Sequence, residues 1–323
     1  MNNTTSSLAI YLTKFNPFTN VYGFARSLLA LGTLLTFVFS DIHELFRPAM
    51  GIAEYPICQG FAGKISLFCL LSFNLLLAKW VAIIILLIVI VGWLPRFTGV
   101  LHWWISFSFM NSAILVDGGD QVTAILTLLL IPITIFDSRK WHWTKSNSAT
   151  INLTSYDMYK RIIANSTLNI IRIQVAIIYL HSAVAKCSVP EWENGTALYY
   201  WFTDPMFGFS DWLKPAIMPV INSAFGVTLL TWSVVLLEFL LFSGLLANKK
   251  IWPTLLTLGI LFHVGIALIH GLTSFAIAML AALILFLRPV EKEFSLSKSK
   301  IFRINFFLKG QNPNRKYFVN LNN

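Results

Sequence analysis

The sequence predicts an all-α fold, a polytopic membrane bundle of about eight helices, and three observations predict it. Hydrophobic residues make up 56% of the 323 residues and charged residues only 12%, with a mean hydropathy of +0.70. A soluble domain carries about 25% charged residues, so this chain could not cover a soluble surface. Apolar runs recur at about the 17–25 residues that cross a bilayer as helix. Lys and Arg fall in alternate gaps between those runs, as they do in multipass proteins. A secreted domain, a disordered chain and a nucleic-acid binder are excluded. The net charge of +10 would suggest nucleic acid or acidic partners for a soluble protein; here it reads as basic cytoplasmic loops, and no nucleic-acid partner is expected.

The eight predicted spans are 21–39, 79–94, 99–116, 121–136, 162–185, 222–246, 251–270 and 272–287. The stretch 65–78 is apolar but short, and Lys79 ends it as an interfacial anchor. It reads as an interfacial segment or as part of a long bent second helix. Charge supports this count. The even-numbered gaps and both tails hold seventeen basic residues, and the odd-numbered gaps hold only Arg47, Lys64, Lys186 and Lys214 with nine acids. Both termini are therefore expected in the cytoplasm of a multipass cell-membrane protein. Counting 65–78 as a span would reverse every later segment and place the basic 137–161 loop outside. Trp141 and Trp143 flank the inner end of the fourth span, and Tyr199, Tyr200, Trp201 and Trp212 sit in the largest late outer loop, at headgroup level. The expected organisation is a cytoplasmic N-terminal segment 1–20, a transmembrane domain 21–288 and a basic cytoplasmic tail 289–323. In that tail Lys292, Lys298, Lys300 and Arg303 alternate with Phe294, Leu296, Ile301 and Phe302, a pattern suited to anionic inner-leaflet lipid or to a disordered basic tail. The N-terminus has no basic n-region followed by an apolar core, so no cleaved signal peptide is expected.

Ionisable groups within a span cost several kcal/mol unless paired, so each is a candidate for function. By helical rise, Arg172, Glu238 and His263 lie roughly 14–18 Å from the inner side. A cation and an anion at one depth on successive helices predict a buried pair of Arg172 with Glu238, which His263 either joins or leaves to face a cavity. Such a pair serves function or simply fixes helix packing. Arg26 lies nearer the inner surface, where it can snorkel to phosphates. His263 and His270 share a helix face but are two turns apart, so no metal site is expected. Asp117, Gly118, Gly119 and Asp120 form a tight turn with two carboxylates, either a polar hairpin or a cation site. Cys58, Cys69 and Cys187 have neither zinc spacing nor the number for a disulfide framework. Cys58 and Cys187 are both expected on the outer side, and they are expected to approach each other. There is no P-loop, no zinc-protease motif and no pair of intramembrane aspartates.

The fifth span leaves the membrane through Tyr179, His181 and Lys186. A lysine at the end of an apolar helix acts as a base or snorkels to water as an anchor. The run 179–202, YLHSAVAKCSVPEWENGTALYYWF, resembles the outer loop of the HTTM membrane domain shared with vitamin K-dependent gamma-carboxylase. Lys186, Glu191, Trp192 and Gly195 match that motif, with one extra residue between the lysine and the tryptophan. In the carboxylase the matching lysine deprotonates reduced vitamin K, so the resemblance implies that Lys186 is a base.

From about Asn16 to Arg288 the chain is more similar to the sporulation-delaying protein B (SdpB) family. NVYGFARSLLALGTLLTFVF, GWLPRFTGVLHWWISFSF, DGGDQVTAILTLLLIPITIFDSRKWHW and FHVGIALIHGLTSF carry that similarity. It implies a membrane factor for the maturation of a small secreted peptide toxin. The implied partners are the toxin precursor, an SdpA-like protein and membrane lipids. The candidate catalytic residues are then Lys186, His181, Glu238 and His263. Asp117, Asp120, Arg172 and Trp192 are candidates for substrate binding, and no residue pattern names a cofactor. Two other readings stay open, a quinone-dependent or carboxylase-like enzyme with Lys186 as base, and a transporter or immunity-type protein.

Overall fold

The computed structural model describes residues 12–13, 15–48, 51, 55–145 and 154–294. Among them, eight helices have 15 or more residues: α1 (Asn20–Phe39), α2 (Leu75–Val91), α3 (Pro95–Ser112), α4 (Gly118–Phe136), α5 (Ser155–Lys186), α6 (Ala224–Ser243), α7 (Trp252–His270) and α8 (Thr273–Leu287). They coincide one for one with the eight predicted spans, and the chain is an all-α helical membrane bundle. By length and composition, α1, α4, α5, α6 and α7 can each cross a membrane, while α2 and α8 are apolar but shorter. Helix α3 is less apolar because it carries His102, Ser106, Ser108 and Ser112, all of them buried. The basic tail beyond residue 294 lies outside the described residues.

Local chemistry sets the helix ends. Asn74 caps α2 by accepting from Leu77 N, and Gly92 closes it in the left-handed region, which glycine enters at no steric cost. Pro95 opens α3, where its missing N–H costs nothing. Thr154 caps α5 through Asp157 N, and the helix starts at Ser155, seven residues before the predicted start, so α5 is a 32-residue helix. The 65–78 stretch is not a span: it contains the short helix Leu67–Leu70 and a turn leading into α2. Lys79 Nζ donates to Ser40 O at 2.9 Å.

Helix α8 is the central post. Ten of its residues are buried, and it packs against α1, α4, α5 and α7. An all-round apolar helix is what such a position selects. Small residues allow the close approaches, as membrane interfaces generally require. A Cβ on Gly32 would stand 3.1 Å from Ser274 O, and one on Gly259 would stand 2.8 Å from Leu283 Cδ1. A second cluster joins α1, α2 and α3 to the 60–70 segment, with Phe37 centred 4.9 Å from Phe109 and 5.7 Å from Phe68.

Arg26 does not snorkel. It is 1% exposed, and it donates to Thr98 Oγ1 at 2.7 Å and toward His142 Nδ1 at 3.4 Å. The 137–145 segment explains this by folding back over the helix ends: His142 N donates to Gly92 O at 3.0 Å, Leu94 N to Lys140 O at 2.8 Å and Trp143 Nε1 to Val91 O at 2.9 Å. Tyr22 donates to Asp137, and Asp137 is paired with Arg139 at 2.7 Å. This loop is a structural clasp over Arg26 as well as a basic connection.

Candidate functional site

A cavity of about 1060 Å³ opens among α4, α5, α6, α7 and the 189–207 segment. Its walls are mostly aliphatic and aromatic, and its polar groups gather on α5, α6 and α7. Lys186, the last residue of α5, donates to Glu238 Oε1 at 2.8 Å, to Glu238 Oε2 at 2.9 Å and to Ser182 Oγ at 2.6 Å. Ser182 Oγ in turn donates to Glu238 Oε1 at 2.9 Å. The Lys186 side chain is 20% exposed and that of Glu238 6%. The ammonium also sits 5.2 Å from the centre of the Trp192 ring. Two turns back along α5 from Lys186, Tyr179 Oη lies 3.0 Å from His263 Nε2. His263 Nδ1 is buried and has no hydrogen-bond partner among the described residues.

The local fold explains why these groups meet. Ser182 and Lys186 are i and i+4 on α5 and therefore neighbours on one face, and α5 ends level with Glu238. That is roughly 20 Å along α6 from its first residue by helical rise. The chain beyond Lys186 continues beside α6 instead of leaving the bundle: Leu198 N donates to Thr231 Oγ1 at 3.3 Å. Gly195 makes this possible. Its φ of +74° suits glycine, and a Cβ there would stand 2.8 Å from Thr228 Cγ2. Lys186 therefore lies inside the bundle, with a carboxylate partner, and not at its rim as a free anchor.

The predicted pair of Arg172 with Glu238 is thus corrected: the partner of Glu238 is Lys186. Arg172 is about 21 Å further back along α5 by helical rise, where it donates to Asn169 Oδ1 at 3.0 Å and lies 5.3 Å from the Trp252 ring centre. Depth counting misplaced it by taking α5 and α6 to start level at the inner side: Arg172 stands beside Trp252, the first residue of α7, so the part of α5 before it runs past the inner ends of α6 and α7. His263 reaches the cavity wall but joins Tyr179. His181 also lines the cavity, as do Trp192 and His270. His270 Nδ1 lies 2.7 Å from Phe207 O, tying α7 to the segment over the cavity. In that segment the backbone N–H groups of Phe207 and Met206, each 2.8 Å from Asp204 Oδ1, hold the Asp204 carboxyl below its usual range.

Asp117 and Asp120 form a reciprocal capping box at the start of α4: Asp120 N donates to Asp117 Oδ1 at 3.0 Å and Asp117 N to Asp120 Oδ2 at 3.1 Å. Their carboxylates are used on the helix itself, and it is their neighbours Gly118 and Gln121 that line the cavity. The expected approach of Cys58 to Cys187 is also corrected. Cys58 is bonded to Cys69 with Cα atoms 5.5 Å apart, and Cys187 is free and exposed. The short helix Gly60–Lys64 reverses the chain and brings Cys69 back to Cys58, whereas Cys187 belongs to the end of α5. Sequence reasoning gave Ser182 no role, although its i, i+4 spacing to Lys186 was the available signal.

No family model matches this chain, and no solved structure matches it. Among curated proteins, the uncharacterized protein YitO of Bacillus subtilis (strain 168) is 42% identical over 279 residues, covering 85% of this chain and 87% of that protein. The sporulation-delaying protein SdpB of Bacillus subtilis (strain 168) is 36% identical over 295 residues, covering 90% of this chain and 88% of that protein. At that identity and coverage, the chain belongs to the SdpB family of sporulation-delaying proteins.

Proposed function

We propose that this protein is a membrane maturation factor for a small secreted peptide toxin, acting with an SdpA-like partner. Family membership supports that reading, and the observation that carries it is the polar triad of Lys186, Ser182 and Glu238 in the wall of the cavity. The distribution of basic residues supports cytoplasmic termini, and with them a cavity that opens toward the extracytoplasmic side. In this reading the precursor arrives there after export. Lys186 acts as the proton-transferring group, with Glu238 and Ser182 holding it in place and Trp192 covering its ammonium. The HTTM resemblance of the Lys186 segment agrees with a proton-transfer role. A transporter built on Arg172, Glu238 and His263 is disfavoured, since Arg172 is remote from the other two.

Lys186→Arg tests the role. Arginine keeps the charge and the ion pair with Glu238 but stays protonated throughout the accessible range. The expected outcome is a variant at normal level in the membrane with mature peptide secretion lost. Normal secretion would eliminate Lys186 as a proton-transferring group and leave it a structural partner of Glu238.

A further inference from the structure

Helices α6 and α7 follow each other in sequence but touch mainly at one end. There Trp252 Nε1 donates to Gly244 O at 3.0 Å, and a Cβ on Gly259 would stand 3.2 Å from Leu241 Cδ2. Toward the other end the two helices part, and residues of both line the cavity: Ser233 on α6, Leu261 and Gly265 on α7. Leu261 is 62% exposed although it lines the cavity. A Cβ on Gly265 would meet nothing within 4 Å. The gap lies between two helices whose other faces are apolar and lipid-facing in character, with Leu229, Leu236 and Leu268 all exposed.

Two features describe the guest. Small residues on four helices line the space, Gly118, Ser182, Ala185, Ser233 and Gly265, and small side chains are what let another backbone approach closely in a membrane. The cavity of 1060 Å³ is at the top of the range for a small-molecule pocket, about 300–1,000 Å³. It holds roughly seven residues of helix at ~10–12 Å diameter and ~1.5 Å rise. Its one cation and one anion satisfy each other, so a charged guest would find no unpaired counter-charge there.

We propose that the cavity is a lateral docking cleft between α6 and α7 for an uncharged, apolar helical peptide segment of about two turns that enters from the bilayer. This deepens the proposed function by naming the part of the precursor that binds: an apolar segment, delivered sideways to Lys186, and not a charged leader.

The test uses the full-length protein in phosphatidylcholine–phosphatidylglycerol vesicles, with a photoreactive amino acid in place of Leu261. The probe is a synthetic Leu/Ala helix of about 20 residues, long enough to span. A second peptide carries two lysines at its centre, and a control protein carries the photoreactive group at Leu236, outside the cavity. The expected result is crosslinking of the Leu/Ala helix at Leu261, at least tenfold weaker at Leu236 and with the lysine peptide. Gly265→Leu adds bulk where a Cβ meets nothing within 4 Å and should abolish the crosslink at unchanged protein level. Equal crosslinking at both positions, equal capture of the lysine peptide, an unaffected Gly265→Leu variant, or phospholipid as the crosslinked species at Leu261 overturns the proposal. Peptide secretion from cells carrying Gly265→Leu separates this from the maturation role. Lost crosslinking with normal secretion leaves the cleft standing and removes maturation from it.

Discussion

The pairing of Lys186 with Glu238 gives the site its chemistry and also one of its stability liabilities. Each charge is mostly removed from water, and removing one partner strands the other. Because the cavity admits solvent or guest to Lys186, Lys186→Ala and Glu238→Ala should each cost toward the low end of the roughly 3–5 kcal/mol of a broken buried pair. The double variant should lose clearly less than the sum, and denaturation of the four proteins in detergent measures it. Strictly additive losses would mean the contact does not exist in the folded protein. A second residue-scale prediction concerns His142. Burial, and then the positive charges of Arg26 and Arg139, push its pKa down to about 2, and His102 faces it as a further buried imidazole. Arg26 can only donate to Nδ1, so Nε2 carries the proton and donates to Ser27 Oγ, 3.1 Å away. An unfolded histidine titrates near 6.5, so between about pH 6.5 and 2 the unfolded chain binds a proton that the folded protein refuses. Its contribution to stability is complete above pH 6.5 and is lost as pH falls, at up to about 1.4 kcal/mol per pH unit. His142→Gln should flatten that acid slope whatever it does to stability at pH 7. An unchanged slope would assign the acid sensitivity elsewhere.

At the scale of elements, what could be read from sequence was what depends on local periodicity. All eight long helices were legible as apolar runs, because a bilayer imposes both length and hydrophobicity on them. The ends were less legible. Helix α5 begins at Ser155 in a polar stretch, where a Thr154 cap and Asp157 carry the start and hydropathy gives no signal. The wrong partner for Glu238 has another source: depth counting took α5 and α6 to start level, whereas Arg172 stands beside Trp252, the first residue of α7, and Lys186 reaches Glu238 instead. Pairings between elements depend on tilt and on where the chain turns back, neither of which periodicity encodes. The cysteines show the same limit. The reversal through Gly60–Lys64 puts Cys69 on Cys58, and it rests on Gly63, whose Cβ would stand 2.8 Å from Cys58 Cα. Without reductant, maleimide should therefore modify one thiol of the denatured protein, Cys187, and after reduction three. Two or more reactive thiols before reduction would contradict the bridge, and Cys187→Ser should remove the single unreduced signal.

For the whole molecule, the two ends of the bundle differ in kind. One end is closed by the 137–145 clasp, with Arg26, Asp137, Arg139 and His142 in one network. The other end holds the cavity, the Asp117/Asp120 cap, the Cys58–Cys69 bridge and free Cys187. Charge divides the same way: the clasp end belongs to the gaps and tails with seventeen basic residues, and the cavity end to the gaps with four. Basic loops stay in the cytoplasm because translocating them opposes both the membrane potential and the pull of anionic lipid. The charge bias and the position of the bridge support the proposed orientation, with clasp inside and cavity outside. In a Cys187→Ser background, Lys145→Cys and Thr203→Cys place single thiols on exposed residues at the two ends. A membrane-impermeant maleimide on intact cells should label Thr203→Cys and leave Lys145→Cys unlabelled until the membrane is permeabilised. The opposite pattern would turn the cavity toward the cytoplasm, where an exported precursor could not reach Lys186, and both the orientation and the maturation role would have to be abandoned together.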